Sequence, residues 1–264
     1  MKKHSFRLAV SALALLLMLS LAGCSINLSD MIIVKRAYSH LSQMDSLSFT
    51  ADAQLDGSAG SLPLKLSAQA DCKCVLDPAT FQIQAQLDLG KLGKIELPFY
   101  IFSKDSAIHI LTGLGHGDST LWLNNSIPYI PRDEGSGQEL TVDAVLDMLQ
   151  SDPESLSVGE SESVNDVLCR PFTLHIPGQI LMDAIQLEAE DSSDYSIDDM
   201  ELTVWISVDE GMPVRASADM ASLLQYIIDI YDPTYLPKLK INSLPLTLDL
   251  AGYNDVGSIT LPAV

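Results

Sequence analysis

Leu62-Pro63-Leu64-Lys65-Leu66-Ser67-Ala68-Gln69-Ala70 sets an apolar residue at every second position, and Phe81-Gln82-Ile83-Gln84-Ala85-Gln86-Leu87-Asp88-Leu89 repeats the pattern. Such alternation puts one side of a strand against a core and the other in water, the habit of antiparallel sheets. Turn residues bracket the two runs: Asp56-Gly57 before, Asp77-Pro78 between, Gly90 with Gly93 after. Working outward, residues 94–102 and 106–112 add two more strands. The period returns less cleanly at 168–176 and again at 202–208 and 246–250, with Asn254-Asp255 and Gly257 as a final turn. Short strands joined by such turns predict a meander. Phe99-Tyr100-Ile101-Phe102 is nearly continuous in its apolarity, which predicts burial on both faces, as under a covering helix.

Helical spacing appears in four places. Residues 30–44 have Ser29 or Asp30 as N-cap. Residues 139–150 carry Leu140, Ala144, Val145, Met148 and Leu149, and 178–187 open at Pro177 with Ile180, Leu181, Ala184, Ile185 and Leu187 behind it. Residues 219–231 carry Met220, Leu223, Leu224, Ile227 and Ile228 and stop at Asp232-Pro233. Each stripe is too short to stand alone and must lie on the sheet. The predicted class is therefore α+β, mainly antiparallel β. One strongly curved sheet carries the helices around 139–150, 178–187 and 219–231 on its apolar face.

The N-terminus predicts export. Lys2, Lys3 and Arg7 precede an uncharged apolar stretch over 8–22, and Leu21-Ala22-Gly23-Cys24 closes it. This is the layout of a secretory signal peptide, and the stretch falls short of the ~20 apolar residues a spanning helix needs. The tetrad resembles the bacterial lipobox, which implies cleavage after Gly23 and a lipid on Cys24. Residues 1–23 are then the signal peptide, 24–29 a lipidated tether, and 30–264 a single domain. Two acyl chains hold a protein stably on a membrane where one holds it marginally. The expected location is the extracytoplasmic face of the cell membrane.

Loss of the leader would lower the formal charge by three, from −20 to −23. A chain this acidic repels nucleic acid and anionic headgroups, and solubility accounts for the charge more simply than an acidic binding face. The three further cysteines, Cys72, Cys74 and Cys169, are an odd count. Cys72-x-Cys74 is not zinc spacing, and small half-buried strand side chains are the simpler reading. A disulfide, if one forms, joins Cys169 to Cys72 or Cys74, because residues two apart on a strand sit about 6.5–7 Å apart. Three free buried thiols are the alternative.

Catalytic patterns are not found: no G-x-S-x-G, H-E-x-x-H, P-loop or Ser-x-x-Lys occurs. Gly113-Leu114-Gly115-His116-Gly117-Asp118-Ser119 precedes a strand-like Leu121-Trp122-Leu123, so it reads as a hairpin loop and not as a phosphate cradle. His40 and His116 stand apart in the chain, while His109 and His175 fall on the polar side of strands, where a hydrogen-bonded surface role is expected. The acidic stretch 188–201 lacks the EF-hand order and reads as a solvated loop. No cofactor, metal or catalytic residue is expected, and the chain is not expected to be an enzyme.

The order of parts resembles a known family. Anchor and helix lead through Leu41-Ser42-Gln43-Met44-Asp45-Ser46-Leu47-Ser48-Phe49 into the first strand and a long meander. Asp209-Glu210-Gly211-Met212-Pro213 then joins two strands, and Tyr253-Asn254-Asp255 precedes Ile259-Thr260-Leu261-Pro262. This resembles the LolA-like superfamily, in particular the LppX/LprG-type bacterial surface lipoproteins. The resemblance implies a half-barrel with helices on its concave side and a lipid or lipid-linked cargo between them. It assigns no ligand-binding residue, since generic aliphatics line such a space. The implied function is a non-enzymatic, membrane-anchored carrier or binder of an apolar ligand. The alternative is an envelope interaction module with a filled core and an acidic outer face.

Overall fold

Among the described residues every paired strand is antiparallel, and thirteen strands make one open sheet. The computed structural model describes residues 28–90, 93–105, 107–115, 120–128, 155–185, 196–231 and 239–262. The meander comes first: β1 (Ser46–Ala59), β2 (Leu62–Leu76), β3 (Ala79–Asp88), β4 (Lys94–Lys104), β5 (Ala107–Leu114) and β6 (Leu121–Pro128). The second part holds β7 (Leu156–Val158), β8 (Glu162–Val164), β9 (Val167–Ile176), β10 (Met200–Ser207), β11 (Pro213–Asp219), β12 (Leu239–Ser243) and β13 (Pro245–Ala251). The spatial order is β6-β5-β4-β3-β2-β1-β13-β11-β10-β9-β7, with β12 beside β1 and β8 beside β9. The last strand in sequence therefore closes against the first, and the sheet curves into a half-barrel.

Among the described residues three helices pack on the apolar side: α1 (Leu28–Ser42), α2 (Gly178–Ile185) and α3 (Ala221–Tyr231). Val34, Ala37 and Leu41 of α1, Leu181 of α2 and Tyr226 of α3 join Phe172, Val204, Ile206 and Leu250 of the sheet in one core. Side chains alternate along a strand, so these sheet residues share a single face. Two contacts fasten α1 to the turn between β10 and β11. Arg36 Nη1 donates to the Asp209 carbonyl at 3.0 Å, and His40 Nε2 lies 3.1 Å from the Glu210 carbonyl oxygen.

The helices at 178 and 219 follow the sequence closely. Asp219 Oδ1 accepts from the amides of Ala221 and Leu244, each at 2.9 Å, so one carboxylate caps α3 and holds the β12–β13 junction. Helix α1 departs from expectation: it begins at Leu28, so Ser29 and Asp30 lie in its first turn and do not cap it. Asp30 is buried there, and its carboxylate pairs with Arg170 of β9.

Asp56-Gly57 is not a turn. Strand β1 runs straight through it to Ala59, and the pairing with β12 shifts register at that step. A Cβ on Gly57 would run into the carbonyl oxygen of Lys240, so this glycine serves close approach of a neighbouring strand. Asp77-Pro78, a cis peptide, and the Gly90–Gly93 corner do turn the chain. The run at 99–102 is half-buried throughout. Phe99 and Ile101 face the apolar side, while Tyr100 and Phe102 meet Trp122 and His109 on the other. The predicted helix at 139–150, the leader and Cys24 lie outside the described residues.

Candidate ligand-binding face

The apolar face splits into two halves. Beneath the helices, Phe172, Leu174, Ile176, Val204, Ile206, Ala216 and Leu250 are buried; along β1 to β5 the inward side chains beyond Leu47, Cys72, Cys74 and Leu76 are largely half-exposed. Register aligns these in rows across the strands. Phe49, Cys72, Ile83 and Phe99 form one row, and Ala51, Ala70, Ala85 and Leu97 the next. Ala53, Ala68, Leu87 and Ile95 form a third, with Leu55 and Leu66 beyond it. Five alanines thus floor a furrow between bulky rows. Rows two residues apart lie about 6.6–6.8 Å from each other, so the two alanine rows leave a strip an alkyl chain can occupy.

Helix α3 stands beside this region. Gln225 pins it to β12, accepting from the Ile241 amide at 2.9 Å and donating to the Leu239 carbonyl at 3.2 Å. Leu223 and Tyr226 turn into the core, whereas Leu224, Ile227 and Ile228 are half-buried outside it. Tyr226 was not part of the sequence stripe; its neighbours Ile227 and Ile228 were.

The cysteines and Asp199 have structural roles. Burial pushes Cys72 up to about 11 and Cys74 up to about 12, and it raises Cys169 as well. All three thiols are free and buried. Cys72 and Cys74 sit on the apolar face, while Cys169 is on the opposite face, paired in register with Ser207. That placement removes the predicted link between them. Asp199 is held below its ordinary value, chiefly by the Gly178 amide, which donates to it at 2.9 Å at the head of α2. Its other oxygen meets His175 at 3.2 Å.

His109 differs from the surface role expected of it. Its ring stacks on Phe102 at 5.1 Å, and both ring nitrogens are buried without a hydrogen-bond partner among the described residues. Gly113 to Gly115 lead out of β5 toward β6 as a hairpin connection, with 116–119 outside the described residues. Among the described residues no group of His, Cys, Asp or Glu is placed to hold a metal ion. No helix among them is long and apolar enough to cross a membrane.

No protein-family model and no curated protein matches this sequence. Solved structures do. The *Mycobacterium tuberculosis* lipoprotein LppX matches over 87% of this chain and 97% of its own, at 14% identity and a TM-score of 0.44. LprF from *Mycobacterium bovis* matches over 89% and 97%, at 10% identity and a TM-score of 0.45. The chain is similar in fold to LppX and LprF. A lipoprotein-sorting domain from *Vibrio parahaemolyticus* follows over 83% and 89%, at 11% identity and a TM-score of 0.28. No side chain of LppX or LprF is carried across to this chain, and the furrow stands on its own residues.

Proposed function

We propose that this chain is a non-enzymatic, lipid-anchored protein of the cell envelope whose concave face takes an apolar, lipid-like ligand. The carrying observation is the furrow of Ala51, Ala53, Ala68, Ala70 and Ala85 between the Phe49 and Leu55 rows, half-exposed in a strongly acidic chain. A broad apolar surface left open to water is costly unless something covers it. Small residues make the floor low, and the Phe, Ile and Leu rows make its walls. Leu224, Ile227 and Ile228 supply flexible aliphatic cover from α3. In this reading Cys24 carries the anchor and the domain works at the extracytoplasmic face.

Native mass spectrometry of the purified chain, followed by organic extraction, tests this directly. An added mass that extracts as a lipid, together with saturable uptake of a fluorescent fatty acid, is the expected result. A bare protein mass with no uptake would overturn the reading and leave an envelope interaction module.

A further inference from the structure

The polar face of the same sheet carries a groove of its own. Two rows floor it: Ser48, Lys73, Gln82 and Tyr100 in one, Thr50, Asp71, Gln84 and Pro98 in the next. The central part encloses about 480 Å³. It shares Ser48, Lys73 and Gln82 with a neighbouring part of about 340 Å³ that residues 255–260 border. At the other end it shares Thr50, Asp71 and Gln84 with a part of about 370 Å³. Asn165, in the turn between β8 and β9, forms a side wall; it donates to Asp249 at 3.0 Å and accepts from Arg215 at 3.2 Å. From Ser48 to Asp52 the floor extends about 13 Å along β1, and the enclosed volume is of ligand size.

Side-chain chemistry narrows the occupant. Thr50, Asp71, Lys73 and Gln84 make no hydrogen bond or ion pair of their own among the described residues. A carboxylate accepts from two adjacent hydroxyls, an amide donates and accepts at once, an ammonium donates, and a hydroxyl does either. That mixture matches a ligand whose surface is itself hydroxyls. A phosphate would need an excess of cations, yet the groove's lining holds two carboxylates, Asp71 and Asp249, and one ammonium, Lys73. An added peptide strand would need a free sheet edge, and the backbones of β1, β2 and β3 at this place are paired on both sides.

An aromatic platform adjoins the groove. Trp122 reaches over Gly113, where any Cβ would press on it and on Pro98, and meets Tyr100 edge to face at 5.4 Å. Both rings are half-exposed, and the Tyr100 hydroxyl accepts from Gln82 Nε2 at 3.3 Å, which joins platform to groove. Such rings stack on the C–H faces of sugars. We propose that this groove binds a short neutral oligosaccharide, its hydroxyls on Thr50, Asp71, Lys73 and Gln84 and its terminal ring against Tyr100 and Trp122.

The test uses the detergent-solubilised full chain with three probes: the β-1,4 tetramer of N-acetylglucosamine, cellotetraose and maltotetraose. A glutamine- and serine-rich peptide is the control. At least one sugar should bind saturably in calorimetry and show saturation transfer to its ring C–H protons. Gln84→Ala and Trp122→Ala should each weaken it about fivefold or more. Glu201→Ala, at an exposed position on β10 away from the groove, should leave it unchanged. Thr50→Val, an exposed near-isosteric change, replaces Trp122→Ala if that variant does not fold. Absence of saturable binding by all three sugars, binding indifferent to the groove variants, or binding of the peptide alone would overturn the proposal.

Discussion

Asp30 of α1 and Arg170 of β9 form an ion pair across 140 residues of chain, with Nε and Oδ1 3.1 Å apart and Nη2 and Oδ2 3.4 Å apart. The carboxylate is almost fully buried and the guanidinium about three-quarters so. The pair therefore ties the first helix to the sheet at a place water hardly reaches. Removing one partner leaves the other charge uncompensated, a loss of about 3 kcal/mol in such settings. Asp30→Ala and Arg170→Ala should each lower the urea midpoint clearly. The double variant Asp30→Leu/Arg170→Met should recover much of that loss, because no lone charge remains. Equal loss in all three variants would show that packing and not charge holds the helix.

Gly57 gives a second stability prediction. Its missing side chain lets the Lys240 carbonyl approach β1, so Gly57→Ala should push β12 away and cost about 1–3 kcal/mol by overpacking. Hydrogen exchange should quicken in 239–243, whose partners are Asp56 to Ala59, and stay slow in 245–251. Uniform quickening would mean that the strands fail together.

Stability should depend on pH at both ends. The Arg215 guanidinium, 2.7 Å from Asp249, holds that carboxyl below its ordinary 3.8. A depressed carboxyl stabilises the fold above the unfolded value, and this contribution is lost as pH falls below 3.8 through the folded value. Asp249→Asn should therefore flatten the acid limb of midpoint against pH. At the alkaline end, thiols pushed up to about 11 and about 12 keep their protons in the fold while the unfolded chain loses them near 9. Stability should then fall as pH rises above 9, less so in Cys72→Ala/Cys74→Ala. At pH 8 a thiol reagent should modify these cysteines only after unfolding.

Much of this architecture was legible as period two. The run at 62–70 continues to Leu76 in β2, and the run at 81–89 begins earlier, at Ala79, and ends at Asp88 in β3; both keep their facing, because one slipped residue would turn every leucine to water. Strands β7 and β8, three residues each, are too short to show any period. Asp56-Gly57 reads as a turn by composition, and only the approach of Lys240 from far along the chain explains it otherwise. Both candidate sites share this difficulty. Ala70 and Ala85, or Asp71 and Gln84, are ordinary alternating residues until register sets them side by side. Asn254 shows the same thing at the C-terminus, where its Oδ1 accepts from the Asp45 amide at 2.7 Å. The sequence offers Tyr253-Asn254-Asp255 as a phrase but carries no sign of its partner.

The anchor is a prediction about one atom, the Cys24 thiol. Cys24→Ala should abolish acylation and leave an uncleaved or soluble product, read by intact mass and detergent partitioning. A variant still acylated and still wholly in the detergent phase would place the anchor elsewhere.

The ligand face admits a test that separates an open furrow from a packed one. In an open furrow, Ala70→Phe adds bulk where there is vacant space, beside Ala51 and Ala85 in its own row. Uptake of a fluorescent fatty acid should then fall at least severalfold while the melting temperature stays within a degree or two. Leu224→Trp and Ile227→Trp on α3, whose side chains lie outside the core, should act alike if the ligand is also covered by this helix. In a fully packed interior, each change would instead force its neighbours off their rotamers and cost about 1–3 kcal/mol. The signs of the two readouts are therefore opposite. Lost uptake with kept stability supports the carrier. Lost stability in variants of a protein that never took up lipid would give the concave face a purely structural role.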